Sequence, residues 1–240
     1  MLRFFRQIRQ RLLTDNKFSK YLLYAIGEIA LVMIGILMAL QVNNWNNERA
    51  DREKEISILK EIQRNLETNV EQFSAEAKMQ GSIVESISLI MDQIKNEVPY
   101  NDSLGPKYAS IAWTEEFNFA NSAFETLKIL GFDIISSDPL RENIIQLFNI
   151  RYNRISDVIQ KVSITEHSQL NSMYLRHIEF DKEGNAVVND SGKLIKDTEF
   201  TNMLSNRRIW KIDIVNTYKE LIEESSELSR MIDRELKKRE

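Results

Sequence analysis

The chain contains no cysteine, two histidines, three prolines and seven glycines in 240 residues. Without cysteine there is no disulfide, no thiolate nucleophile and no cysteine metal site. This leaves the compartment open and agrees with a domain held together by packing. The two histidines, His167 and His177, stand ten positions apart, about 80° round a helix, and cannot chelate one metal side by side. The chain also lacks a phosphate-cradling glycine loop and a Gly-x-Ser-x-Gly turn. Glu115-Glu116 and Glu223-Glu224 have no partner at metal-site spacing and read as solvated faces or cap charges. No acid, base and nucleophile converge, so the sequence argues against an enzyme and calls for no cofactor or metal. With so few glycines and prolines, long uninterrupted helices follow.

One long hydrophobic run is present. Tyr21 to Leu40 (YLLYAIGEIALVMIGILMAL) is interrupted only by Glu28. About twenty helical residues at about 1.5 Å each span a hydrocarbon layer roughly 30 Å thick. Before the run stand Arg3, Arg6, Arg9, Arg11, Lys17 and Lys20 against Asp15 alone, whereas charges after it alternate in sign. This asymmetry predicts a single-pass membrane protein with its N-terminus in the cytoplasm and its larger part outside; in a bacterium that means the inner (cytoplasmic) membrane and the periplasm. A cleaved signal peptide fits poorly: the run is too long, and a cut after Ala39 would put bulky Leu37 where a small residue is wanted. Leu2, Phe5, Ile8 or Arg9, Leu12 and Leu13 recur at helical spacing opposite the arginines, a pattern suited to a helix lying at anionic headgroups. The same arginines also serve as topology determinants. With a total formal charge of -4, a basic start of +5 leaves -9 on the other 220 residues. That balance argues against nucleic acid or any other polyanion as partner.

The spacing predicts three domains: a basic amphipathic segment at 1–20, a transmembrane helix at 21–43, and a helical bundle at 44–240. After the span, Ile56, Leu59, Ile62 or Gln63, Leu66, Val70 and Phe73 step by three or four, continuing the membrane helix outward as one rod with a weak point near Gly81. Pro99, Gly105 and Pro106 then break an aromatic-rich insert, Tyr100 to Ala120. Ser122, three residues before Glu125, signals a capping-box start for a short helix ending at Gly131. Asp138-Pro139 signals another capped start. Leu140, Ile144, Phe148, Tyr152, Ile155, Ile159 and Val162 line a second long helix to about Ile178. Asp181 to Lys196 reads as a polar turn or small β-hairpin. A third long helix runs from about Thr198 to the C-terminus. The fold class is therefore all-α: one N-terminal transmembrane helix continuing into an antiparallel bundle of long amphipathic helices. With the second helix returning toward the bilayer, the aromatic insert is expected at the distal end and the 181–196 turn nearer the membrane.

Two stretches carry a family resemblance. LRFFRQIRQRLLTDNKFSKYLLYAIGEIALVMIGILMALQVNNWNNE, with its basic start and asparagine-flanked tryptophan, resembles the opening of a group of uncharacterised bacterial membrane proteins. SAFETLKILGFDIISSDPLRENIIQLFN resembles their second shared block. The group is a domain of unknown function, so the resemblance implies topology and an α-helical body and no catalytic residue.

Candidate site residues follow from physical oddity. Glu28 lies about 10 Å into the lipid if the run enters at Tyr21. An ionisable group there marks a functional site by default. Glu28, Gly35 and Ala39 share a face, and Gly35-x-x-x-Ala39 is a small-x-x-x-small pair that lets backbones approach. This suits self-association or docking to a partner span; the alternative is that Glu28 reaches headgroups or a lysine such as Lys17 or Lys20. Trp45 is placed to anchor the outer interface. Tyr108, Trp113, Phe117 and Phe119, beside Phe124, either line a ligand or partner surface or form a mini-core capping the bundle. Two functional readings result. One is a membrane-tethered periplasmic interaction module, a scaffold or accessory subunit, whose partners are the bilayer and either copies of itself or another membrane protein. The other is a sensor whose distal aromatic region binds a ligand and signals through a separate protein.

Overall fold

A computed structural model describes residues 18–114, 116–183 and 185–238, with side chains described except at 18–21, 24 and 165–171. The amphipathic pattern at 2–13 lies outside them. The chain is all-α with one small hairpin. Its elements are α1 (Phe18–Lys95), α2 (Gly105–Ser110), α3 (Ser122–Leu130), α4 (Asp138–Ile145), α5 (Asn153–His177), β1 (Ile178–Phe180), β2 (Ala186–Val188), α6 (Ser191–Lys196) and α7 (Thr198–Lys237). Contacts divide it into two compact units, Met1–Lys54 and Glu55–Glu240.

In the first unit every residue from Ile29 to Leu40 is exposed. This stretch is apolar all round, and α1 is long and apolar enough to cross a membrane. In the second unit the apolar residues form a stripe, and the stripe is buried. α1 runs through Gly81 unbroken, because Gln80 and Ile83 on either side of it face the interior.

Four long-range contacts set the direction of the segment after α1. Tyr108 bonds Gln93, Phe117 stacks on Phe73, Asn69 brackets Ala120, and Ser136 bonds Glu55. Residues 96–121 therefore form a strap that runs back along α1 toward Glu55. The next helix reverses again, with Tyr152 against Phe73 and Tyr174 bonded to the Tyr108 carbonyl. It is parallel to α1, whereas the expectation had it returning. α7 supplies the antiparallel partner, pairing Arg208 with Ser88 and Tyr218 with Phe73. The β1–β2 hairpin consequently sits at the Lys95 end of this unit, where Tyr100 Oη donates to the Ala186 carbonyl at 2.9 Å. The expected placement at the opposite end fails because the strap adds one more crossing.

Local chemistry explains the element ends. α1 stops with Glu97 at φ 53° and a Val98 N–H to Gln93 carbonyl bond of 3.0 Å. The two predicted caps differ from expectation. Ser122 is already helical and its hydroxyl faces Asn65, while Asn121 precedes the helix. Asp138 is likewise inside α4, its carboxylate taken by Arg141 at 2.7 Å. Between α4 and α5 the helix widens into a π turn, Gln146–Tyr152. Leu140, Ile144, Phe148 and Tyr152 step by four, over-rotating an α-helix by about 40° each time; a wider turn absorbs that drift. The hairpin turn is tied by Asp181, whose Oδ1 accepts from the Glu183 and Asn185 N–H groups. Gly105 lies so close to β2 that a Cβ would stand 2.9 Å from the Ala186 carbonyl oxygen.

Two apolar cores result. The larger joins Leu59, Ile62, Leu66 and Phe73 of α1 to Phe124, Phe148, Tyr152, Leu221 and Ile232. The smaller gathers Ile87, Ile90, Tyr108, Tyr174, Leu194 and Phe200 at the hairpin end. Both close within one chain.

Candidate functional site

On the candidate span, Gly35 and Ala39 are exposed, and nothing lies within 4 Å of where a Cβ on Gly35 would stand. Their face is therefore open in the single chain. Glu28 is half-buried and takes part in a polar interaction within the chain. Trp45 is exposed.

The aromatic residues of the strap separate into different roles. Tyr108 is fully buried and donates to Gln93 Oε1 at 3.0 Å. Phe117 and Phe119 are half-buried and pack on the larger core, Phe117 against Phe73 at 5.5 Å between ring centroids and Phe119 against Tyr152 at 4.9 Å. Trp113 alone is largely exposed, at 61 %. Phe117 and Phe119 gather with each other on Tyr152, their ring centroids 5.6 Å apart, whereas Tyr108 belongs to the smaller core, because the strap is extended along the bundle. The buried tyrosines are held protonated. Burial raises Tyr108 and Tyr174 well above the usual phenol value and pushes Tyr152 up to about 12, partly offset by its bond to Ser225. They are hydrogen-bond donors in this fold, not bases.

Polar side chains at stripe positions fix the strap. Asn69, fully buried, donates to the Ala120 carbonyl at 3.0 Å and accepts from the Ala120 N–H at 2.6 Å. Asn65 Oδ1 accepts from the Ala123 N–H at 2.9 Å. Glu55 Oε1 accepts from both the N–H and the hydroxyl of Ser136. Most unusual are Arg207 and Lys211, buried to 2 % and 0 % exposure between the two cores, both donating to the Trp113 carbonyl. Buried cations are rare and normally paired; each takes part in further interactions in this chain. Gln80 is fully buried on α1, and neither of its amide atoms bonds a described residue. Sequence reasoning passed over this belt. The signal was available: Leu204, Arg207, Lys211, Ile214 and Tyr218 step by three or four along one stripe, which places two cations among core positions.

At the hairpin end, His177 Nε2 lies 2.7 Å from Asp197 Oδ2, while Asp197 Oδ1 caps α7 through the Phe200 N–H. The His177 bond and that backbone N–H hold the Asp197 carboxyl below the usual carboxylate range. The side chain of His167 lies outside the described ones, and among the described residues no three His, Asp or Glu side chains cluster to hold a metal.

Two of the bundle's grooves are lined by described residues as follows. One, about 260 Å³, lies between the π turn and α7 beside Arg151, which bridges Glu220 at 2.6 Å and Glu224 at 3.1 Å. Those bonds outweigh desolvation and raise the already high Arg151 pKa. The other, about 360 Å³, lies between the strap at Glu116, Phe117 and Asn118 and the α5 face of Ser156, Gln160 and Ser163.

The chain belongs to a family of unknown function, DUF6090, whose model matches residues 28–210. The match takes in the apolar run from Glu28 onward, the strap, both grooves' α4–α5 walls and the belt cation Arg207. No curated protein and no solved structure matches the chain.

Proposed function

We propose that this member of a family without an assigned activity is a membrane-tethered periplasmic interaction module, a scaffold or accessory subunit that self-associates through its span. One observation carries the reading. The apolar stretch from Ile29 to Leu40 is exposed on every side, whereas the bundle buries its own stripes within one chain. The unfilled requirement for an apolar environment thus lies in the first unit, where lipid and a neighbouring span supply it. The basic residues ahead of the run support a cytoplasmic N-terminus. Gly35 and Ala39 offer a close-approach face, with Glu28 on the same side. Asn69, Asn65 and Glu55 of the bundle hold the strap and the segment that follows it.

The test is mass photometry of the full chain in mild detergent beside Glu28→Leu and Gly35→Ile. A defined oligomer that dissociates in Gly35→Ile supports the reading, because that site has no neighbour within its own chain. Monomers throughout would reduce the span to a tether. A second reading, ligand sensing through a partner protein, is favoured by the polar groove beside Phe117.

A further inference from the structure

We propose that the turn closing α3 docks on the surface of the same bilayer that takes up the apolar run, with Ile129 and Leu130 entering its headgroup layer. The inference rests on the membrane-tether reading and says which part of the bundle meets lipid.

Ile129 is the starting observation. At 86 % exposure it is more open than any large apolar side chain described in the run itself, of which Leu23 is the most exposed at 78 %. Leu130 beside it is exposed by half. The rest of α3 behaves differently, since Phe124 and Leu127 lie in the larger core. Gly131, at φ 93°, then turns the chain, and Phe132 packs back on Phe124 at 5.9 Å between ring centroids. The turn is thus fixed from beneath while its two aliphatic side chains stand out.

Its place in the bundle points to what covers it. Asn65 bonds the start of α3, and Glu55 bonds Ser136 just past the turn, so the turn lies at the Glu55 end. α7 finishes at that end too. Tyr218 packs on Phe73, and Lys237 is nineteen residues beyond the one while Glu55 is eighteen before the other. Lys237 and Lys238 are exposed there, each paired with an acid of its own helix, Asp233 at 2.6 Å and Glu235 at 3.0 Å. Glu55 follows Trp45 by ten residues, about 15 Å of helix. A tether that short makes docking an intramolecular event, so a contact of two side chains suffices.

The chemistry favours lipid over a protein partner. Protein contacts are anchored by aromatic residues and arginine seated in shaped pockets, and the turn offers only isoleucine and leucine on a protruding edge. A headgroup layer takes up such side chains without a preformed pocket, with neighbouring lysines at its phosphates.

The test is fluorescence quenching on the full chain in nanodiscs of phosphatidylcholine and phosphatidylglycerol, with bimane on single cysteines and a lipid carrying a nitroxide near the top of its acyl chain as quencher. Probes at Leu37→Cys in the run and Leu130→Cys in the turn should both be quenched, and one at Lys182→Cys in the hairpin should not. Ile129→Asp, an exposed change added to the Leu130→Cys chain, should weaken docking by about tenfold. Quenching at Leu37→Cys with none at Leu130→Cys would overturn the proposal and leave the tether standing. No quenching at Leu37→Cys would remove the tether reading and this inference with it. Quenching at Leu130→Cys that Ile129→Asp leaves unchanged, or that Lys182→Cys shares, would also overturn docking through this turn.

Discussion

Two stretches of one helix meet opposite fates. Ile29 to Leu40 and Glu55 to Ile94 both belong to α1, yet the first is exposed throughout and the second buries a continuous face. The difference lies in where the polar residues stand. In the second stretch Lys60, Arg64, Glu67 and Glu71 occupy the side away from Leu59, Ile62, Leu66 and Phe73, so one face seeks the core and the other water. The first stretch has no such division and satisfies itself only in lipid or against another apolar helix. Helical structure is common to both; the arrangement of side chains decides what surrounds it.

The largest expected effect breaks this contrast from inside the bundle. Phe73 touches Phe117, Tyr152 and Tyr218. Phe73→Ala should cost about 3–5 kcal/mol in chemical unfolding of the bundle, while Leu31→Ala on the exposed stretch leaves that transition unmoved. Equal losses would mean that the span is part of the bundle's core. Next in size, Gly105→Ala forces a Cβ against the Ala186 carbonyl. A loss of about 1–3 kcal/mol, with earliest amide exchange in the hairpin, is expected; no loss would show that the strap approaches β2 less closely.

A smaller effect depends on pH. Asp197 has a folded pKa below its unfolded value, so its stabilisation is complete above the ordinary value of about 3.9. It is lost as pH falls through the lowered folded value. Asp197→Asn keeps the cap on Phe200 but removes the charge, so thermal midpoints should fall less steeply in strong acid than in the parent. Identical acid profiles would assign the acid sensitivity elsewhere. Smallest is Glu97→Gly, which relieves a left-handed backbone at the end of α1 and should stabilise by about 1 kcal/mol, read as a raised melting midpoint.

Much of this architecture was legible because it is periodic. The apolar run, the three long stripes, the stop at Gly131 and the start of α7 near Thr198 all follow from spacing. The direction of α5 did not, since it depends on Asn69, Asn65 and Glu55 reaching residues more than fifty positions away. Local motifs misled where tertiary partners competed for the same atoms. Asn65 drew the Ser122 side chain and Arg141 drew that of Asp138, so neither formed its predicted cap. Of the candidate residues, Gly35 and Ala39 lie on an open face, Tyr108 is buried in the smaller core, and Phe117 and Phe119 pack, half-buried, against the larger one. The groove was not visible beforehand because Asn118 and Gln160 are ordinary surface amides until the strap brings them together.

The absence of cysteine makes the central claim directly measurable. Single cysteines placed in turn from Ile29 to Val42, oxidised in native membranes, report which face meets a second copy, since a disulfide needs Cα atoms within about 7 Å. The account predicts strongest dimer formation at Gly35→Cys and Ala39→Cys and little at Leu37→Cys on the opposite side. Uniform cross-linking, or none at any position, would contradict it.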